Sequence, residues 1–159
     1  MIPKLFLLML VISVASACNT SSSLQQKTYS EMQSGVKQMM DSVSNDIYKI
    51  SPSKWLYYFE NTNTFYMAND GKLVFPNYKS AIAFINDTLT KMITKVNLEW
   101  RDIVMDSVAA NSINIYAAYH EEIFANNGTT INEDGYCTAV VDYTSKGWKF
   151  RNLHWSSIK

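Results

Sequence analysis

The hydrophobic period of this chain changes once in a lasting way, between Ile93 and Val96, and that change fixes what the chain can fold into. Ahead of it, apolar residues recur at three- and four-residue steps, the spacing of one helical face. Met32, Val36, Met39, Met40, Val43, Ile47 and Ile50 follow Thr28 and Glu31, which stand three apart as in a capping box, so the spacing predicts a helix over Tyr29 to Ile50. Ser51 and Pro52 suit the N-cap and first position of a second, short helix with Trp55, Leu56 and Phe59 on its buried side. Thr64 to Ala68 and Lys72 to Phe75 are β-type runs joined by Asn69, Asp70 and Gly71, a hairpin turn signal. A third helix is expected from Lys79 to Ile93, with Ala81, Ile82, Ile85, Leu89 and Met92 on one side. Beyond it, Val96 to Met105, Asn111 to Phe124, Gly135 to Tyr143 and Gly147 to Ile158 read as long strands. Helices first and consecutive strands afterwards make an α+β domain in which three helices cover one face of a curved antiparallel sheet.

The first 18 residues bear on location. Lys4 gives a basic start, Leu5 to Val14 an apolar run too short to span a bilayer, and Ala15, Ser16 and Ala17 a small-residue cleavage site just before Cys18. Ala15-Ser16-Ala17-Cys18 resembles the lipobox of bacterial lipoproteins, with Ala15 departing from the usual leucine. The expected organisation is a signal peptide over residues 1–17, a tether lipidated at Cys18 over residues 18–27, and one domain over residues 28–159. The polar, small run Asn19 to Ser23 fits a tether. Removing residues 1–17 from the 159 leaves 142, and with Lys4 gone the 14 basic and 14 acidic residues become 13 and 14. Without a basic stripe, nucleic acid is not an expected partner; the membrane is, through the acylated Cys18. Cys137 is then left without a partner and reads as a small buried hydrophobe.

The order of elements, with Phe65-Tyr66-Met67-Ala68-Asn69-Asp70-Gly71 and Gly147-Trp148-Lys149-Phe150-Arg151-Asn152-Leu153-His154-Trp155-Ser156, resembles the nuclear transport factor two-like family, which includes SnoaL-like cyclases and ketosteroid isomerases. The two stretches look like that family's first strand with its turn, and its closing strand. The resemblance implies a cone with a pocket at its open end, and a sheet that pairs with a second copy to make a homodimer. It does not imply a reaction, because this fold hosts enzymes, transport factors and plain binding modules alike.

Strand alternation puts Val96, Leu98, Trp100, Asp102 and Val104 on one face. Asp102 is there a carboxylate among apolar neighbours, either a general base or neutral donor raised by burial, or the mark of a bulge or a partner of Arg151. Trp148, Phe150, Asn152, His154 and Ser156 share a face of the last strand, which the resemblance turns into the cone, making His154 an acid, base or ligand contact. Asn114, Tyr116 and His120 alternate on another strand as wall candidates whose inward face the sequence leaves open. The expected ligand contacts are thus Trp100, Asp102, Asn114, Tyr116, His120, Asn152 and His154, with Asp102 and His154 the catalytic candidates. His120 and Glu122 alone lack the third ligand a metal needs. No nucleophile elbow or phosphate loop is present, and no cofactor is expected. The expectation is an envelope lipoprotein whose cone binds a small apolar or amphipathic molecule, or a protein partner, without catalysis. Its rivals are an isomerase or cyclase using acid-base chemistry, and a dimeric assembly module. Replacing Cys18 with Ser is expected to abolish incorporation of labelled fatty acid and to leave the precursor uncleaved by the lipoprotein peptidase.

Overall fold

The computed structural model describes residues 27–158; the export signal and Cys18 lie outside the described residues. Helix α1 spans Tyr29–Lys49 and opens with the expected capping box, in which the Thr28 hydroxyl accepts from the Glu31 N–H and Glu31 accepts from the Thr28 N–H at 2.7 Å. Met32, Val36, Met39, Met40, Val43 and Ile47 are buried as the spacing requires. Each contributes about 1.5 to 3 kcal/mol by leaving water. Ile50 is the exception: it is the C-cap, one residue past the helix, and is exposed. A single turn at Pro52–Lys54 leads into α2 (Trp55–Tyr58), fastened to α1 by the Tyr58 hydroxyl donating to Asp46 at 2.7 Å.

Strands β1 (Tyr66–Asn69) and β2 (Lys72–Phe75) form the expected hairpin. Asp70 and Gly71 both take positive φ, 46° and 75°, as a two-residue turn between right-twisted strands needs. The third helical segment is interrupted. Helix α3 (Tyr78–Phe84) passes into a π-helical turn at Ile85–Leu89 and a last turn α4 (Thr90–Met92). The wider turn rotates the residues that follow it away from the face set by Ala81 and Ile85, so these two are buried while Met92 is exposed.

Strands β3 (Ile93–Ala109), β4 (Ser112–Ala125), β5 (Thr130–Thr144) and β6 (Gly147–Ser157) follow, all longer at one or both ends than the apolar runs suggest except the last. The sheet runs β2-β1-β6-β5-β4-β3, curved and unclosed. Its long strands are antiparallel neighbours, and the hairpin joins through a parallel pairing of β1 with β6, so the sheet is mixed. Asp70 locks that joint: its N–H donates to the Trp155 carbonyl at 3.0 Å and its carboxylate accepts from the Ser157 N–H at 2.8 Å.

Two bulges decide which side chains face the core. On β3, Arg101 pairs with Ala118 and Val104 with Tyr116, so Asp102 and Ile103 together oppose Ala117, with Asp102 at φ 48°. On β6, Asn152 pairs with Val140 and Phe150 with Val141, leaving Arg151 as the extra residue. Inward positions are therefore Val96, Leu98 and Trp100, then Ile103 and Met105, on β3, and Phe150, then Leu153 and Trp155, on β6. Each bulge shifts the parity by one.

Helix α1 lies against this concave face and approaches it closely at Gly35, where an added Cβ would overlap the buried indole of Trp148. Alanine would gain about 1 kcal/mol of helix propensity there, less than the 1 to 3 kcal/mol that overpacking costs. Gly35→Ala is accordingly expected to lower stability by about 1 kcal/mol in urea denaturation, against the sign of its propensity.

Candidate functional site

Odd-numbered residues of β4 face the interior: Ile113, Ile115, Ala117 and Tyr119 are all buried. The same alternation carries Glu121 and Ile123 inward, and on β5 it carries Glu133, Gly135 and Cys137. Past the last tightly packed layer these strands line a cavity of about 220 Å³ whose other walls are chiefly aromatic and aliphatic, among them Trp55, Phe75, Phe84, Leu89 and Trp155.

The polar part of the wall is a cross-strand carboxyl pair, Glu121 on β4 directly opposite Glu133 on β5. Glu133 is held by the Tyr119 hydroxyl at 2.9 Å and the Ser157 hydroxyl at 2.7 Å, both donating to its Oε1. Glu121 has no hydrogen-bond partner among the described residues. It lines the cavity, and burial, reinforced by the neighbouring charge of Glu133, pushes its carboxyl up to about 7. Burial likewise raises Tyr119, reinforced by the hydrogen bond to Glu133. The tyrosine reaches that carboxylate because its pairing partner is Gly135: a Cβ there would run into the Tyr119 hydroxyl. Cys137 lies deeper, fully buried, with its thiol pushed up by burial. Two further polar atoms on cavity-lining residues, Trp155 Nε1 and Asn69 Oδ1, are buried without a partner.

No protein-family model matches the sequence, and none of the curated proteins does. Solved structures do match in fold. A nuclear transport factor 2 (NTF2-like) superfamily protein from Salmonella enterica serovar Typhimurium is 15% identical, with 83% of this chain and 94% of that one covered at a TM-score of 0.70. The chain has the NTF2-like fold. A hexachlorocyclohexane dehydrochlorinase, LinA type 3 from Novosphingobium barchaimii, matches at 10% identity, 81% and 88% coverage and TM-score 0.63. An NTF2-like protein of unknown function from Shewanella oneidensis matches at 9% identity, 78% and 98% coverage and TM-score 0.59. NTF2-like cones thus include an enzyme and a protein without an assigned role, and this likeness carries the fold alone.

Within the NTF2-like cone the residues expected from sequence scatter. Asp102 is exposed at its bulge, the structural alternative to a buried base, and Arg151 pairs with Asp142 at 3.2 Å instead of with it. His154 is also exposed, because the Arg151 bulge turns Leu153 and Trp155 inward in its place. Strands β4 and β5 separate Asp102 from His154, so the two do not form a pair. Asn152 accepts from the Val140 N–H at 3.2 Å, bridging the irregular ladder beside the bulge. Asn114, Tyr116 and His120 lie on the outer face: Tyr116 stacks on Tyr136 with centroids 5.6 Å apart, and His120 Nδ1 lies 3.0 Å from Asp134. Trp100 is inward but packs as core, its Nε1 donating to the Met40 carbonyl at 3.2 Å and its ring against Trp155. Glu121, Glu133 and Tyr119 were not among the expected residues. The signal for them was present in the odd-numbered run Ile113, Ile115, Ala117, which continues to Tyr119 and Glu121.

A carboxyl raised from 4.5 to about 7 makes the folded state bind the extra proton. The stability it contributes is fully present below about pH 4.5 and is lost as pH rises through 7, a swing of about 3 kcal/mol. Glu121→Gln is expected to remove this slope and to leave the protein more stable than the parent at pH 8, read from urea midpoints across pH.

Proposed function

We propose that this protein is an envelope lipoprotein, anchored through Cys18, whose cone cavity binds a small, largely apolar molecule carrying one polar group. The anchor rests on the order Lys4, apolar run, Ala15-Ser16-Ala17, Cys18. The binding reading rests on one observation above the others: a carboxyl without a partner among the described residues, Glu121, set opposite Glu133 into a largely apolar wall around about 220 Å³. A cavity of ~150 Å³ lined by apolar residues suffices for benzene, so this one has room for a molecule of about one ring with a short substituent. Apolar walls supply affinity, and the few polar groups orient the guest.

A second reading is acid-base catalysis at the same place. What favours it is a carboxyl near 7 opposite the hydrogen-bonded pair of Tyr119 and Glu133, since a proton-transfer group works best near ambient pH. Under that reading Glu121 takes or gives the proton, and Tyr119 and Glu133 hold the guest.

Titration of the purified chain with ethylbenzene, phenethyl alcohol and phenethylamine, followed by NMR, is expected to shift resonances of Phe84, Leu89, Ile123 and Trp155 and to leave Tyr116 and Tyr136 unmoved. Shifts confined to the outer face, or none with any of the three, would count against a ligand cavity. Turnover of a bound molecule that falls a hundredfold or more in Glu121→Gln would establish the enzyme in its place.

A further inference from the structure

We propose that the guest of the cavity is a small amine, bound as its ammonium ion between Glu121 and Glu133 with its hydrocarbon part against the aromatic wall. This rests on reading the cavity as a ligand site and names the class of ligand.

Glu121 and Glu133 face each other across one rung of the β4–β5 ladder, and no lysine, arginine or histidine is among the described residues lining the cavity. Like charges directly opposed on a sheet destabilise it, and a buried carboxylate without a counter-charge is costly. The protein relieves half of this conflict itself, by giving Glu133 two hydroxyl donors, Tyr119 and Ser157. It leaves Glu121 with none. Once Glu121 is ionised, an anionic guest would add a third negative charge to the site. A neutral alcohol would exchange one hydrogen bond with Glu121 and supply no counter-charge to either carboxyl. An ammonium ion supplies three donors and the missing positive charge at once.

The walls fit the same class. Trp55, Phe59, Phe75, Phe84, Tyr119 and Trp155 present aromatic surface around the cavity, and aromatic faces attract a desolvated cation. From the elements packed around Glu121 the titratable groups are Glu133 and Cys137 on β5 and Tyr119 on its own strand. The residues that β3, the hairpin and the α3 segment contribute to the lining do not titrate. Seating a cation therefore expels the proton that Glu121 carries near neutrality, and amine affinity rises with pH through about 7.

Calorimetric titration of the full chain with phenethylamine, phenethyl alcohol and ethylbenzene at pH 6 and pH 8 tests this. At pH 8 the amine is expected to bind at least tenfold tighter than the alcohol, and roughly tenfold tighter than it does at pH 6. Glu121→Gln should cost the amine tenfold or more and leave ethylbenzene unchanged, which also shows that the variant is folded. Glu133→Gln, whose side-chain carbonyl still accepts from Tyr119, should weaken the amine too. Alcohol or ethylbenzene binding as tightly as the amine, or amine affinity indifferent to Glu121→Gln, overturns the assignment while leaving the cavity reading intact. Failure of all three probes to bind overturns both.

Discussion

Trp155 stands where the two layers of the molecule meet. Its ring packs edge-on to Tyr119 of β4 at 4.6 Å and to Trp55 of α2 at 5.8 Å, and tilts against Trp100 of β3 at 5.4 Å. Its backbone holds the hairpin turn through the Asp70 N–H. One residue thus joins three long strands, a helix and the β1–β2 edge, and forms part of the cavity wall. Aromatic pairs of this kind contribute about 0.5 to 1.5 kcal/mol each beyond area burial, but the positional role is larger. With Trp155 inside, α2 has a surface to rest on and the cone has a floor.

That arrangement depends on backbone irregularities more than on composition. Were β6 regular through Arg151, strict alternation from Phe150 would turn Trp155 to solvent. Were β3 regular through Asp102, the face beginning with Val96 would continue to Asp102 and Val104. The polar end of the cavity has an equally local origin in Gly135, whose missing side chain leaves the place that the Tyr119 hydroxyl fills. The unpaired Glu121 is the cost of this design, and it falls on the wall of the cavity.

Much of the architecture was legible in the chain. The capping box at Thr28 and Glu31, the Asp70-Gly71 turn and the change of period near Ile93 are local signals, and each appears where the residues put it. The candidate site was far less legible, for a specific physical reason. Counting in twos along β3 and β6 leads to Asp102 and His154, and each strand carries a bulge within that count. A bulge has no strong residue signature: Asp102 tolerates positive φ better than most residues, but Arg151 carries no mark at all. On β4, where no bulge intervenes within Ile113 to Ile123 against β5, the simple alternation does lead to Glu121. The parallel β1–β6 pairing and the π turn at Ile85 depend on contacts distant in sequence and leave no periodic trace.

The Arg151 bulge also bears on how such proteins diverge. Deleting Arg151 would restore a regular ladder in which Asn152 points out and Leu153 and Trp155 stay inside. Straightening the strand with every residue kept would instead carry Asn152, His154 and Ser156 into the interior and expel Leu153 and Trp155, exchanging a hydrophobic lining for a polar one. A chain one residue shorter here can therefore keep the same lining, while a chain of equal length without the bulge presents the opposite face. Comparing the interiors of equal-length strands column by column then sets inward residues against outward ones. Equivalence has to be counted from the bulge.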